Sequence, residues 1–154
     1  MNGPSLEELA RVAELFNQSA PLAHAGFRLS FPARDVVAAE LPEVRAEHRG
    51  GLGTSAVNGG VLSALFDLVT GCTPLLVDVG RRSATVQLSM SFERPVLGNG
   101  VRAEARISSL GRRTLFASAT ILDERGQACA HCQAVVSMAR VEVGRGDSVS
   151  KERP

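Results

Sequence analysis

Two hydrophobic periods alternate along the chain. Residues 5 to 17 place Leu6, Leu9, Val12, Ala13, Leu15 and Phe16 at mostly three-and-four spacing, the repeat of a helix with one apolar face. Ser5 stands ahead of them with Glu8 three residues on, a capping box that predicts where the helix opens. Two short extended segments follow, Gly26 to Phe31 and Asp35 to Leu41, divided by Pro32 and ended by Pro42. They predict a hairpin. Residues 43 to 56 hold charges, His48 and the glycines Gly50, Gly51 and Gly53, a composition that suits a loop. From Gly59 to Val77 the chain is apolar nearly all round, which predicts a helix buried on every side, ended or kinked at Pro74. Four extended segments come last, near 83–94, 100–110, 113–123 and 127–140, separated by Pro95 to Gly100, Gly111-Arg112 and Glu124-Arg125-Gly126. Short turns between consecutive strands predict an antiparallel meander.

The order helix, two strands, buried helix, four strands reads as an α+β fold in which one long antiparallel sheet wraps one central α-helix. At 154 residues a single domain is expected, covering residues 1–143 with the N-terminal helix included. The small, charged and polar tail, 144–154, is expected to be disordered. Hydrophobic residues make up 44% and charged residues 21%, as in an ordinary globular protein. Six Phe with no Trp or Tyr leave no aromatic platform for stacking bases. A net charge of +1 with the arginines scattered among the acids leaves no basic field, so nucleic acid is not an expected partner. No basic segment followed by an apolar run opens the chain, and no stretch of eighteen apolar residues is present, so the expected location is cytoplasmic, with no membrane partner. Cys72, Cys129 and Cys132 fit a reducing compartment. The C-x-x-C of Cys129 and Cys132 falls in a strand, where residues three apart face opposite ways. Structural thiols are therefore expected, and no metal.

Asp67 is the most informative residue. Its helical neighbours at three and four positions are Ser63, Ala64, Thr70 and Gly71, so no local cation neutralises it. A carboxylate buried without a partner has its pKa raised toward the range of a general base. The other reading is an Asp tied to a distant Arg or to backbone amides. Asn58-Gly59-Gly60 stands at the start of the same helix. Asn is a favoured cap, and the amides behind it could stabilise a developing oxyanion, or simply form a capped helix start. Thr85 adds a strand-borne hydroxyl able to orient water. His48 is either a solvated loop histidine or a participant in the site, and His24 and His131 read as structural or exposed. Arg112 and Arg113 could meet phosphates or form a solvated turn. There is no Gly-x-Ser-x-Gly elbow, P-loop or dinucleotide fingerprint, so water or the Asp itself is the expected attacking group.

Asn58-Gly59-Gly60 with Asp67 nine positions after Asn58, Thr85 to Gly98, Gly111-Arg112 and Asp123 to Gly126 together resemble the PaaI-like hotdog-fold acyl-CoA thioesterases, over about residues 20 to 140. The resemblance implies a hotdog fold, dimers or tetramers with the active site at the subunit interface, an acyl-CoA substrate and no cofactor. It implies Asp67 as general base or nucleophile, Gly59 as backbone donor to the thioester carbonyl, Gly60 beside the substrate and Thr85 placing water. Asn58 stands where the family usually has His, and the upstream Asn that assists the oxyanion is not at its usual spacing; His48 is the candidate to replace it. Two alternatives stay open: a hotdog hydratase or dehydratase, and a module that binds acyl-CoA without turning it over.

Overall fold

The computed structural model describes residues 3–51 and 53–139; the tail 144–154 lies outside them. Ser5 caps α1 (Leu6–Asn17), and its hydroxyl and the Glu8 carboxylate close the capping box. A second, short helix, α2 (Ala20–Ala25), follows, with Pro21 in its first turn and Gly26 ending it at φ 76°. Proline inside the start and glycine past the end are the marks of a helix, and the hydrophobic period misses them because six residues are too few to repeat. The strands β1 (Arg28–Ala33) and β2 (Val36–Leu41) form the expected hairpin. Pro32 does not divide it. The register of β1 slips between Ser30 and Ala33, and β1 is an edge strand; an edge with a bulge is where a sheet admits proline.

Asn58 caps the central helix, α3 (Gly59–Gly71), and a 3-10 turn at Thr73–Leu76 takes Pro74 in its first turn. The remaining strands are β3 (Arg82–Phe92), β4 (Val101–Leu110), β5 (Thr114–Asp123) and β6 (Ala128–Ala139). All pair antiparallel in one sheet of order β1-β2-β4-β5-β6-β3. The simple meander is thus corrected. β4, β5 and β6 run as expected, but β3 lies at the far edge beside β6, and β2 takes its place beside β4. The connection from β3 to β4 is too long for a tight hairpin. It crosses beneath the start of α3, with Val96 buried and its carbonyl accepting the Val57 N–H at 2.9 Å.

The sheet curls around α3, which packs on β2, β3, β4, β5 and β6. Leu62, Leu65, Phe66 and Val69 fill the core with Val37, Leu41, Ala103 and Ile121. Gly59–Leu76 has a mean hydropathy of 1.4 over 18 residues, enough by composition to cross a membrane, but 56% of it is buried inside the fold, as in a core helix. Burial on every side is not what the chain gives it. Gly60, Ala64 and Asp67 are exposed, with Ser63 and Gly71 half-buried, so one stripe of small residues and one acid stays open. Beside it β3 is an open edge, mostly exposed along its length, with Val86 65% and Phe92 50% accessible. The opposite edge is blunted. The Asn17 carboxamide accepts the Leu29 N–H at 2.7 Å and donates to the Leu29 carbonyl at 2.9 Å, standing in for a neighbouring strand.

Cys72, Cys129 and Cys132 are buried and unpaired. Cys129 and Cys132 share the interior because β6 bulges at Cys129, where Ile121 pairs with Ala130 and Leu122 with Ala128. The extra residue turns Cys129 inward, so the alternation expected of an unbroken strand does not hold, while His131 between them is exposed. The described residues hold no cluster of three or more His, Cys, Asp or Glu side chains able to bind a metal. Burial, and after it the charge of Asp67, pushes the Cys72 thiol up from 9.0 to about 12.

Two measurements check this account. Asn17→Ala leaves two backbone groups of buried Leu29 unpaired, and is expected to cost ~2 kcal/mol, read as a lower urea midpoint at unchanged slope. Leu15→Ala, at a side chain 69% exposed, should stay within ~0.5 kcal/mol. The raised Cys72 pKa favours the folded state while the thiol is neutral in both states. That contribution is complete below pH 9.0 and is lost as pH rises toward about 12, because the unfolded chain ionises first. Melting temperature against pH above 9 should therefore fall less steeply in Cys72→Ala than in the parent.

Candidate active site

Asn58 sets the start of α3. Its Oδ1 accepts the Gly60 N–H at 2.7 Å, and its backbone carbonyl accepts the N–H of Val61 at 3.0 Å and of Leu62 at 3.1 Å. The Gly59 N–H, which no residue of the helix can reach, makes no hydrogen bond among the described residues. Gly59 lines a pocket of about 260 Å³ together with Val57, Leu62, Phe92, Glu93, Arg94 and Pro95. Larger hollows lie between α1 and β1, about 450 Å³, and at the ends of β2, β4 and β5, about 320 Å³. Neither touches Asn58, Gly59 or Asp67.

The loop before the helix is fixed by backbone-directed contacts. His48 is buried rather than solvated: its Nδ1 accepts the Arg45 N–H at 3.0 Å, and its Nε2–H donates to the Ala25 carbonyl at 2.8 Å. Both ring nitrogens are used, so the structure gives His48 a holding role and leaves it no proton to offer a substrate oxygen. Its backbone carbonyl accepts the Asn58 N–H at 2.8 Å. The Arg49 guanidinium donates to the carbonyls of Ser55 and Gly98, at 2.6 and 3.1 Å, and to Asn99 Oδ1 at 3.2 Å. Gly50 lies so close beneath Asn58 that a Cβ there would stand 2.3 Å from Asn58 Nδ2. Arg49 and Gly50 escape sequence reasoning because their partners are distant carbonyls and a neighbouring side chain; the one signal is a glycine in a loop that closes on the helix cap.

Asp67 lies on the open stripe of α3 and is exposed, which corrects the expectation of a buried carboxylate within one chain. The sheet covers the opposite face of the helix. No ion pair engages Asp67 among the described residues. One turn later Gly71 lets β3 approach: a Cβ there would meet Thr85 Oγ1 at 3.3 Å, and the Ser83 hydroxyl donates to the Gly71 carbonyl at 2.8 Å. Thr85 is half-buried beside a bulge in β3 at Val86, a device that re-aims side chains. Arg112 and Arg113 are exposed in the β4–β5 turn. Ser83 pairs with Met138, whose N–H donates to the Arg113 carbonyl at 2.8 Å, so that turn stands two strand spacings, about 10 Å, from β3.

The candidates therefore fall into two groups. Asn58, Gly59 and Gly60 sit at one end of α3, near Phe92 and Pro95. Asp67, Thr85, Arg112 and Arg113 sit toward the other. Eight residues of helix separate Gly59 from Asp67, about 12 Å along the axis, too far for both to reach one carbonyl group from a single chain.

Comparison with known proteins agrees with this architecture. Residues 55–130, from just before α3 into β6, match the family described as the thioesterase superfamily. No curated protein sequence matches. A thioesterase from Haemophilus influenzae superposes with a TM-score of 0.75 at 22% identity, covering 92% of this chain and 96% of that one. A thioesterase family protein from Silicibacter pomeroyi gives 0.73 at 21% identity, covering 84% and 96%. The PaaI protein of the Escherichia coli phenylacetic acid degradation operon gives 0.72 at 18% identity, covering 88% and 96%. With a six-stranded antiparallel sheet wrapped on a central helix and a segment through that helix that matches the thioesterase superfamily, the chain has the hotdog fold of those thioesterases.

Proposed function

We propose that this protein hydrolyses an acyl-CoA, or a related acyl thioester, to the free acid and the thiol, at a site built between two copies of the chain. The observation that carries the reading is the division of the site: an unpaired donor at the start of α3 and an unpaired carboxylate two turns on. A two-fold axis near the middle of β3 would pair that strand with its own copy and lay the two open helix stripes together. The Gly59 end of one chain then meets the Asp67 end of the other. The exposed length of β3 and the accessible Val86 and Phe92 support the pairing, since an uncovered apolar edge is otherwise a liability. The protein is then a homodimer, or two such dimers in a tetramer.

In this site the Gly59 N–H polarises the thioester carbonyl. Asp67 takes a proton from water as it adds to the carbonyl carbon, or attacks that carbon itself and is freed by water afterwards. Thr85 orients the water, Gly60 leaves room for the substrate, and the thiolate departs with a proton. Arg112 and Arg113, exposed in the turn at the Asp67 end, meet the phosphates of CoA in this reading. A hydratase calls for a histidine beside the acid, and none of the three lies on the open stripe: His24 is in α2, the His48 ring is committed to backbone, and His131 is exposed on β6. Three free, buried thiols suit a reducing compartment, and a cytosolic location goes with them.

Asp67→Asn should lower kcat by at least ~10²-fold in thiol release from the best acyl-CoA while the fold persists. Gly59→Pro deletes one N–H at the first helical position, where proline is tolerated and no atom lies within 4 Å of a new Cβ. A similar loss is expected. The decisive measurement is mixing. Each variant alone is impaired, but a heterodimer of the two holds one intact site, so co-refolding equal amounts should restore about a quarter of parent activity. A mixture that stays inactive, or light scattering that finds only monomer, overturns the composite site.

A further inference from the structure

We propose that the pocket lined by Gly59 takes a short acyl group that ends in a carboxylate, and that the Arg94 guanidinium reads that carboxylate. The inference rests on the hydrolase reading above and deepens it by naming the acyl class. Val57, Leu62, Phe92 and Val96 give the pocket apolar walls, and Arg94 puts a cation on the same lining as Gly59. Its volume, about 260 Å³, is below the ~300–1,000 Å³ of pockets that enclose drug-sized ligands. A space of this size suits a chain of a few carbons rather than a long fatty acyl chain.

The charges on this lining leave the cation in excess. Glu93 is the one acid there, and its Oε2 stands 3.6 Å from Nε2 of His131, which is exposed on β6. Arg94 has no such partner: it makes no ion pair among the described residues. The backbone that carries it is fixed. The Glu93 and Arg94 N–H groups both donate to the Cys129 carbonyl at 3.0 Å, and two residues on the Val96 carbonyl accepts the Val57 N–H at 2.9 Å. The guanidinium thus stands on a held stem with its donors uncommitted, and its planar fork matches a carboxylate in a two-pronged, charge-assisted pair. Phe92, 50% accessible, lies two residues before it, on the strand edge that the proposed dimer covers. Displacing water there strengthens the pair. The phosphates of CoA have Arg112 and Arg113 in that reading, which leaves Arg94 to the acyl group.

Succinyl-CoA and butyryl-CoA share a chain length and differ in the terminal carboxylate. After subtraction of the uncatalysed rate, the parent should show the higher kcat/KM for succinyl-CoA. Arg94→Gln should lower the ratio of the two ~10-fold, the effect of losing a hydrogen bond to a charged group. It should melt within a few degrees of the parent, since Arg94 is exposed. Arg94→Lys, which keeps the charge but not the fork, should recover part of the ratio. A parent that prefers butyryl-CoA, or a ratio unmoved in Arg94→Gln, overturns the role of Arg94 and leaves the hydrolase reading standing. An equal fall for both substrates that disappears with the corresponding acyl-pantetheine thioesters assigns Arg94 to the CoA phosphates and overturns it as well. A parent protein that releases no thiol from any acyl-CoA overturns both readings.

Discussion

A sheet curled around a helix covers one side and leaves the other open. On the covered side α3 carries Leu62, Leu65, Phe66 and Val69, all buried, and their removal from water contributes about 1.5–3 kcal/mol each. On the open side lie Gly60, Ser63, Ala64, Asp67 and Gly71, which have little apolar surface to lose. The helix is apolar in composition yet divided in use. That division directs the rest of the molecule. β3 must reach the far edge to complete the curl, its outer edge stays unpaired, and the open stripe runs beside it. The sheet that builds the core thus also defines the one face on which an acid can stand without being buried by its own chain.

The start of α3 obeys a second constraint, that a helix leaves its first amides unpaired. Here the amides are allotted individually. Asn58 takes the Gly60 amide, and that of Gly59, a residue lining the pocket beside Phe92 and Pro95, is left unpaired among the described residues. The loop that delivers Asn58 has little hydrophobic content, so polar contacts hold it in place: the His48 ring between two backbone groups, Arg49 across three acceptors, and Gly50 at a distance no side chain would permit. From His48 to Gly50 a stretch with little apolar surface is in this instance tightly determined.

What the sequence discloses follows from the range of the interactions. Capping is local, so Ser5 with Glu8 and Asn58 with Gly60 are readable three or fewer residues apart. Strand lengths and the α+β class are set by period and turn residues, and these are readable as well. Strand order is not, because the partner of β3 is chosen by what the helix needs covered and not by the turn that follows β3. Bulges are equally silent: Cys129 and Cys132 come to one face because of an extra residue in β6 that shows only in its register against β5. The candidate site divides the same way. Asp67 is visible as an acid without local cations, but its exposure depends on which side the sheet takes. His48 is visible as a histidine near the site, but its occupation by Arg45 and Ala25 depends on α2, a helix too short to announce itself.

The separation of Gly59 from Asp67 also bears on how such a site can fold. A carboxylate buried without a partner as the chain folds would cost several kcal/mol, against a total stability of ~5–15 kcal/mol. In the proposed dimer that cost is deferred. Asp67 stays hydrated while the chain folds and is desolvated only when a second copy arrives, when the apolar edge of β3 is buried in the same step. Hydrophobic burial at Val86 and Phe92 then offsets the desolvation of the acid. Small residues along the stripe serve both states: they expose little apolar surface in the single chain, and they let two helices approach closely enough for donors and acid to share one carbonyl.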